Sequence, residues 1–427
     1  MITTLRAAIL FVFAGTFAIS ITAPAPAARA DSSVLALAPS IRGAGTGGAS
    51  GAAFWGGDPD AWANPALLGY HQGVRFDAGN TEMAASSGLV FQTARWSAAF
   101  GGIGVMGSGT PRNLSRTELA DDVLPGTPGR IAQRIDTWGA GISFAEAISS
   151  VMGLAGTAPP ALFSRFDVAA GAARHEVMVD LAPEAPSSAS TTDYGVMVRW
   201  TPLNTLDPRR TAAPEANAPE AWRWPQANDP ARTKRVRDPR AGMFPDLRPV
   251  RRQEPRRFDL AYGYSVKNAG HSVLENPQGA SQPLARIVRH GVSASIAQGR
   301  PRGRAPWLSR AFTPLYAAGI VADLERVDPD DGTGGYDVTR YGAEATFANV
   351  FTLRRGLVKD AASGIDGATS GYSVGFNLGY VAGARYDRAR VPQANGLPDL
   401  ERRGFSAWVD PLVMLRAARG RRGAASR

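Results

Sequence analysis

The chain contains no cysteine. Disulfides, thiolate metal sites and cysteine nucleophiles are thereby excluded together, and packing and backbone pairing are left as the sources of stability. Charge is scarce as well, since 20% of residues are Asp, Glu, Lys or Arg, below the quarter or so usual for soluble domains. The four histidines, His71, His175, His271 and His290, have no i, i+4 or HxxxH spacing, which removes the common zinc-hydrolase patterns. After residue 30 no uncharged stretch is long enough for a membrane helix; this does not exclude a barrel, which crosses with strands. Punctuation, by contrast, is abundant. With 48 Gly and 31 Pro, many turns between short strands fit better than a helical bundle, and 44% apolar residues exclude a wholly disordered chain.

The first thirty residues read as a secretory leader. Arg6 supplies the positive start, Ala7 to Ile21 an apolar run of 15 residues, and Ala28-x-Ala30 a cleavage pattern. A run this short favours cleavage over retention as a membrane anchor. The mature chain starts at Asp31 and loses Arg6 and Arg29, so the formal charge falls by two from +10. Segment 202–255 is Pro-rich and holds eleven Lys/Arg against seven Asp/Glu, and the tail 416–427 holds five Arg and no acid. The basic excess thus sits in an insertion and a tail rather than on a folded face. That placement argues against nucleic acid and leaves anionic lipid headgroups as a partner for these segments.

Period-two alternation recurs along the chain. In 258–267 the series Phe258, Leu260, Tyr262, Tyr264, Val266 interleaves with Asp259, Ala261, Gly263, Ser265, Lys267, and in 371–381 Tyr372, Val374, Phe376, Leu378, Tyr380 interleave with Gly, Ser and Asn. Each is a strand with one apolar and one polar or small face. A soluble sandwich carries Thr, Lys and Glu on its outer faces. Here Gly, Ala, Ser and Asn alternate with apolar residues, and Trp or Tyr stands at strand ends, as the aromatic girdle of a transmembrane antiparallel β-barrel requires. Fourteen segments read as strands: 73–79, 86–91, 95–106, 136–145, 163–173, 174–182, 191–201, 256–267, 284–297, 313–326, 337–347, 350–358, 369–381 and 402–414. An even count puts both termini on one side. With the first strand running outward, 107–135 and 202–255 both fall outside the cell, and 146–162 falls inside as a connection read as a short helix.

Residues 43–70 begin Gly-Ala-Gly-Thr-Gly-Gly and end in Asn64-Pro65-Ala66-Leu67-Leu68-Gly-Tyr. This stretch resembles the N-terminal segment of the PorV/PorQ outer-membrane proteins, relatives of the FadL-type barrels, in which a Gly/Ala-rich run leads to Asn-Pro-Ala-x-Leu. Arg257-Phe-Asp-Leu-Ala-Tyr-Gly-Tyr, Gly342-Ala-Glu-Ala-Thr-Phe-Ala-Asn, Leu353-Arg-Arg-Gly356 and Gly371-Tyr-Ser-Val-Gly-Phe-Asn-Leu-Gly379 extend the likeness over most of 40–410. The resemblance implies an all-β barrel of about 14 strands spanning 71–415, with residues 31–70 folded inward as a plug. Gly and Ala crowding permits the close backbone approach a plug needs; the lesser alternative for Asn64 to Leu68 is an ordinary surface turn. Three features depart from the family. Segment 202–255 is longer and more basic, Asp410-Pro411 interrupts the last strand, and the Arg-rich tail replaces a terminal aromatic residue.

The functional expectation is a non-enzymatic protein of the bacterial cell outer membrane, in contact with outer-membrane lipids. Within the family it is implied to be an accessory for protein secretion or cell-surface attachment. It would engage secreted proteins or secretion components through the loop that carries Arg235, Arg237 and Arg240. The alternative is a FadL-like channel for hydrophobic small molecules. No cofactor and no metal are expected. Gly43-Ala-Gly45-Thr-Gly-Gly48 matches GxGxxG without the βαβ unit that dinucleotide binding needs. Gly371-Tyr-Ser373-Val-Gly375 matches GxSxG inside an alternating strand, where a nucleophile elbow requires strand, turn and helix. Asp328, Asp330, Asp331 and Asp337 lack EF-hand spacing and read as a solvated turn.

Overall fold

A computed structural model describes most residues between 40 and 411. Outside the described residues lie 1–39, 56–59, 83–89, 110–131, 181–186, 205–255, 270–272, 276–280, 302–311, 329–333, 379–381, 394–397 and 412–427, with a few single positions. Fourteen strands close into an antiparallel barrel. They are β1 (Gly73–Glu82), β2 (Val90–Phe100), β3 (Ile103–Gly109), β4 (Ala132–Ser143), β5 (Phe166–Asp180), β6 (Ser187–Asn204) and β7 (Arg256–Ala269). After a small separate pair, β8 (Val273–Glu275) and β9 (Ser281–Pro283), the wall resumes with β10 (Arg286–Pro301), β11 (Phe312–Asp328) and β12 (Tyr336–Phe347). It finishes with β13 (Phe351–Asp360), β14 (Ile365–Leu378), β15 (Ala382–Val391) and β16 (Leu400–Val409), and β16 pairs with β1 from Val409↔Val74 to Glu401↔Glu82. Closure leaves the barrel sheet without an unpaired edge.

Side-chain size sorts the two faces. On β5 the residues Asp167, Ala169, Ala173 and His175 are buried inside while Arg174 and Glu176 are exposed outside, and the other strands alternate likewise. The outer face is apolar and uncovered, with Trp138 at 59%, Phe376 at 55% and Tyr194 at 53% exposure. So large a continuous apolar surface is the mark of a face built for a nonaqueous partner. Toward the end that holds both termini it carries Phe100, Phe166, Trp200 and Phe351, the composition of an interfacial girdle. Strands β2 and β3 join through Gly101 and Gly102 alone, at φ 59° and 85°, values that only glycine adopts without strain and that a two-residue hairpin needs. Helix α1 (Ile41–Gly45) lies inside the wall. Helix α2 (Phe144–Leu154) connects β4 to β5, its first turn held by Asp167, which accepts from Ala145 N at 2.8 Å and from Ser143 Oγ at 2.6 Å.

The expected count of fourteen is right, but three assignments behind it are not. The segment 95–106 runs through the Gly101-Gly102 hairpin and so joins the second half of β2 to β3, while 86–91 meets only the start of β2. The segments 163–173 and 174–182 are one strand, β5, whose Ala/Gly centre Ala169-Ala-Gly-Ala-Ala173 imitates a break. The strand β15 went unread because Arg385, Asp387, Arg388 and Arg390 place charge on both of its faces. Merging 163–173 with 174–182 shifts strand parity. Strand ends Asn204 and Arg256, which flank 205–255, therefore lie at the same end as Gly73 and Val409, and not at the opposite end as expected. The last strand also ends sooner than 402–414, since β16 stops at Val409, ahead of Pro411, which has no N–H for a ladder.

Candidate functional site

The described residues of 40–71 follow the inside of the wall once around, against the order of the strands. Ile41 starts at the seam, its Cδ1 occupying the space left by the absent side chains of facing Gly79 and Gly404. Thr369 on β14 donates its hydroxyl to Gly45 O at 3.1 Å, and Asp323 on β11 accepts from the N–H groups of Ser50 and Gly51, each at 2.8 Å. Ser293 on β10 donates to Ala52 O at 2.8 Å, and Ser265 on β7 to Ala63 O at 2.9 Å. His71 closes the circuit with its Nε2 within 3.0 Å of Ser97 Oγ on β2. The wall thus satisfies backbone groups that a buried, irregular segment would otherwise leave unpaired.

Asn64 to Leu68 lies buried inside the barrel and not in a surface turn. Asn64 is fully buried and caps the 3-10 helix Pro65–Tyr70, its Oδ1 accepting from Ala66 N at 3.0 Å. Its Nδ2 donates to Gly51 O at 2.9 Å and to Val196 O on β6 at 3.3 Å, tying two distant points of the inner segment to the wall. Pro65 supplies the fixed φ of a first helical position. Leu67 packs with Ala52, Ala169 and Met197, and Leu68 with Ala61, Met106 and Ala173. The helix lies on a row of four glycines, Gly104, Gly141, Gly171 and Gly195, directly opposite one another on β3 to β6. A Cβ on Gly171 would stand 2.5 Å from Pro65 C, and one on Gly141 would stand 2.6 Å from Pro65 O.

Buried charge supplies the other attachments. Arg42 donates Nε to Glu344 on β12 at 2.8 Å and Nη2 at 3.3 Å, and Arg354 on β13 donates to the same carboxylate at 2.8 Å. Arg354 continues to Asp387 at 2.9 Å, where Ser373 Oγ also donates, at 2.5 Å. Ser373 is therefore an inward-facing partner of Asp387. Glu325 joins Arg289 and, at 3.0 Å, Arg340, whose Nη1 donates to Gly47 O at 3.3 Å. A cavity of about 20 Å³ beside Ile41, Arg42, Asp77, Arg95 and Asp387 has room for one water and no more.

Aromatic rings gather on the inner segment. Phe54 meets Trp55 edge-on at 5.7 Å and Tyr70 at 5.9 Å, and the Arg199 guanidinium stands 5.4 Å from the Phe54 ring and 4.8 Å from that of Tyr70. Glu146 and Asp167, each 3.8 Å away, hold Arg199 in place. Burial raises the Tyr70 phenol far above its ordinary value, so it stays neutral. On the opposite flank Trp62 packs 4.5 Å from His175, which sits between Thr137 (2.8 Å) and Asp193 (2.9 Å). The buried Nε1 atoms of Trp55 and Trp62 have no hydrogen-bond partner among the described residues.

Arg235, Arg237 and Arg240 lie outside the described residues. The Gly43–Gly48 run forms the end of α1 and the turn after it, and Asp328 and Asp337 both pair with Arg326, at 3.3 Å and 3.2 Å. The wall glycines and the inward charges Arg42, Glu344, Arg354 and Asp323 had no sequence signal strong enough to single them out.

No family model matches the chain, and no curated protein does. Among solved structures the chain is similar to the Pseudomonas putida toluene transporter TodX, with 9% identity, 86% of this chain and 95% of that chain covered, and a TM-score of 0.38. It is also similar to the Ralstonia pickettii toluene transporter TbuX (10%, 86% and 97%, TM-score 0.35) and to a Pseudomonas aeruginosa FadL homologue (11%, 86% and 97%, TM-score 0.34). Likeness this distant transfers no activity.

Proposed function

We propose that the chain is an outer-membrane barrel through which small hydrophobic molecules pass, with residues 40–71 as its plug. The observation that carries this reading is the inner circuit. A segment whose described residues contact the inner wall from β14 round to β2 and group Phe54, Trp55 and Tyr70 together is placed to meet a molecule that traverses the barrel. Its attachments are side-chain hydrogen bonds, ion pairs and the apolar contacts of Ile41, Leu67 and Leu68, all separate from the strand ladder, so local displacement need not unfold the wall. In this reading the leader 1–30 directs export, the apolar outer face meets membrane lipid, and 416–427 is an appended basic tail. Docking of exported proteins at the cell surface through Arg235, Arg237 and Arg240 has less support, because 205–255 leaves the barrel at the end that carries both termini.

The test is deletion of residues 40–66. The barrel is expected to remain folded, with its heat-dependent shift on gels intact, while uptake of radiolabelled toluene into proteoliposomes rises. A folded deletion variant with unchanged uptake would overturn the passage reading. Loss of the folded barrel would overturn the assignment of the segment as a plug.

A further inference from the structure

Outward-facing charges on several strands occur in opposite-sign pairs. Arg174 meets Glu176 at 3.7 Å, and Arg326 meets Asp328 and Asp337. The sector β13 to β16 is different. Arg355, Arg388, Arg390 and Arg403 all point outward there, on the alternate positions to inward Arg354, Asp387 and Arg402. Among the described side chains, Glu401 is bound by Arg388 and, at 2.9 Å, by Arg403, while Asp366 stands opposite Lys359.

Register brings the four together. Arg388 is directly opposite Arg403, Arg390 is opposite Glu401, and Arg355 and Arg390 flank Ser370 from its two sides. Like charges facing each other across a ladder repel, and Glu401 is shared by Arg388 and Arg403. Cations on a face that otherwise meets hydrocarbon are destabilising unless an anion lies beside them. Next to this basic row, on the side of the termini, Val374, Tyr386 and Phe405 stand in direct register, at 48%, 40% and 51% exposure. A cluster of guanidiniums above an apolar strip has the shape of one molecule turned inside out: a phosphorylated headgroup above acyl chains.

We propose that the outer face of β13–β16 binds a phosphorylated glycolipid of the lipid A class in the leaflet away from the termini. Arg355, Arg388, Arg390 and Arg403 grip its phosphates, and its chains lie on Val374, Tyr386 and Phe405. Guanidinium forks match phosphate oxygens bidentately, which gives this row a preference for phosphate over other anions. The leaflet follows from the even strand count and export from the terminus side.

The experiment uses the full chain in detergent, titrated separately with diphosphoryl lipid A and with phosphatidylglycerol, with bound lipid read by native mass spectrometry. Lipid A is expected to bind more tightly than phosphatidylglycerol. The variant R388Q/R390Q/R403Q is expected to lose about tenfold or more in lipid A affinity, the scale of losing charge-assisted phosphate contacts. Equal affinity in the variant would overturn the site, and equal binding of phosphatidylglycerol would overturn the glycolipid assignment. Should the triple variant fail to fold, E401Q keeps all four cations and is expected to bind lipid A at least as tightly as the native chain; weaker binding would overturn the proposal.

Discussion

Replacing Glu344 with Ala should release the start of the inner segment while leaving the wall closed. Glu344 accepts from Arg42 at 2.8 Å and 3.3 Å and from Arg354 at 2.8 Å, and the side chains of these two arginines are 4% and 0% exposed. Removing one partner of a buried pair costs roughly 3–5 kcal/mol. The lower figure applies here, because Arg354 keeps Asp387 at 2.9 Å and Arg42 keeps the Trp55 ring at 6.0 Å. About 3 kcal/mol corresponds to roughly two powers of ten in the equilibrium between docked and released segment. The absence of native cysteine supplies the assay. A single Cys at Ala44, which is 5% exposed, reports release through its rate of reaction with a maleimide. That rate is expected to rise about a hundredfold in Glu344→Ala and less in Glu344→Gln, which keeps the shape and one acceptor. With Arg42→Met added, the cycle should show strong coupling, because once either partner is gone the second loss matters little. An unchanged rate beside a lowered melting temperature would refute the reasoning, since the pair would then hold the wall and not the segment.

Other consequences are open to measurement. Phe376→Arg, on the apolar face, should cost about 2–4 kcal/mol in chemical unfolding from lipid vesicles, whereas Ser373→Thr on the inner face of the same strand should cost far less; equal losses would argue against a lipid-facing exterior. Asn64→Ala removes the helix cap and both Nδ2 contacts, so a loss of about 1–2 kcal/mol and faster proteolysis within 40–71 are expected. If the segment digests at the native rate, Asn64 does not tie it down. A Cys at position 230 should resist an impermeant maleimide on intact cells and react once the outer membrane is opened, and a Cys at position 120 should behave the opposite way. Labelling of position 230 on intact cells would invert the assigned topology.

Much of the wall is legible in sequence because its two faces differ in bulk. On β7, Phe258, Leu260, Tyr262 and Tyr264 face out while Ala261, Gly263 and Ser265 face in, and that contrast survives without any structure. It fails where size does not alternate. The small centre of β5 mimics a turn, and the charged β15 has no apolar face to detect. The Asn64 to Leu68 motif was found through family likeness, but its geometry was not, since Val196 and the glycines of β3 to β6 are brought to it only by closure of the sheet. The pairing of Arg42 with Glu344, 302 positions apart, has no local signature for the same reason. Charge composition shows that such groups exist and is silent on which of them meet.

The inner circuit also constrains how the molecule can be made. Residues 40–71 precede every described strand, yet they touch strands as late as β16 and finish beside β2. The seam that completes the cylinder joins β1 to β16, and Ile41 sits behind it between Gly79 and Gly404. Either the segment is gathered inside before that seam zips, or it must be drawn in afterwards through an open mouth, past the inward charges Glu325, Glu344, Arg354 and Asp387. The first route makes the earliest part of the chain a mould for everything synthesised later, and couples insertion of the cylinder to a contact that forms only when the final strand arrives. Contacts of such long sequence separation are slow to form. Substitutions on the segment that leave the finished protein stable should therefore first reveal themselves as delayed assembly.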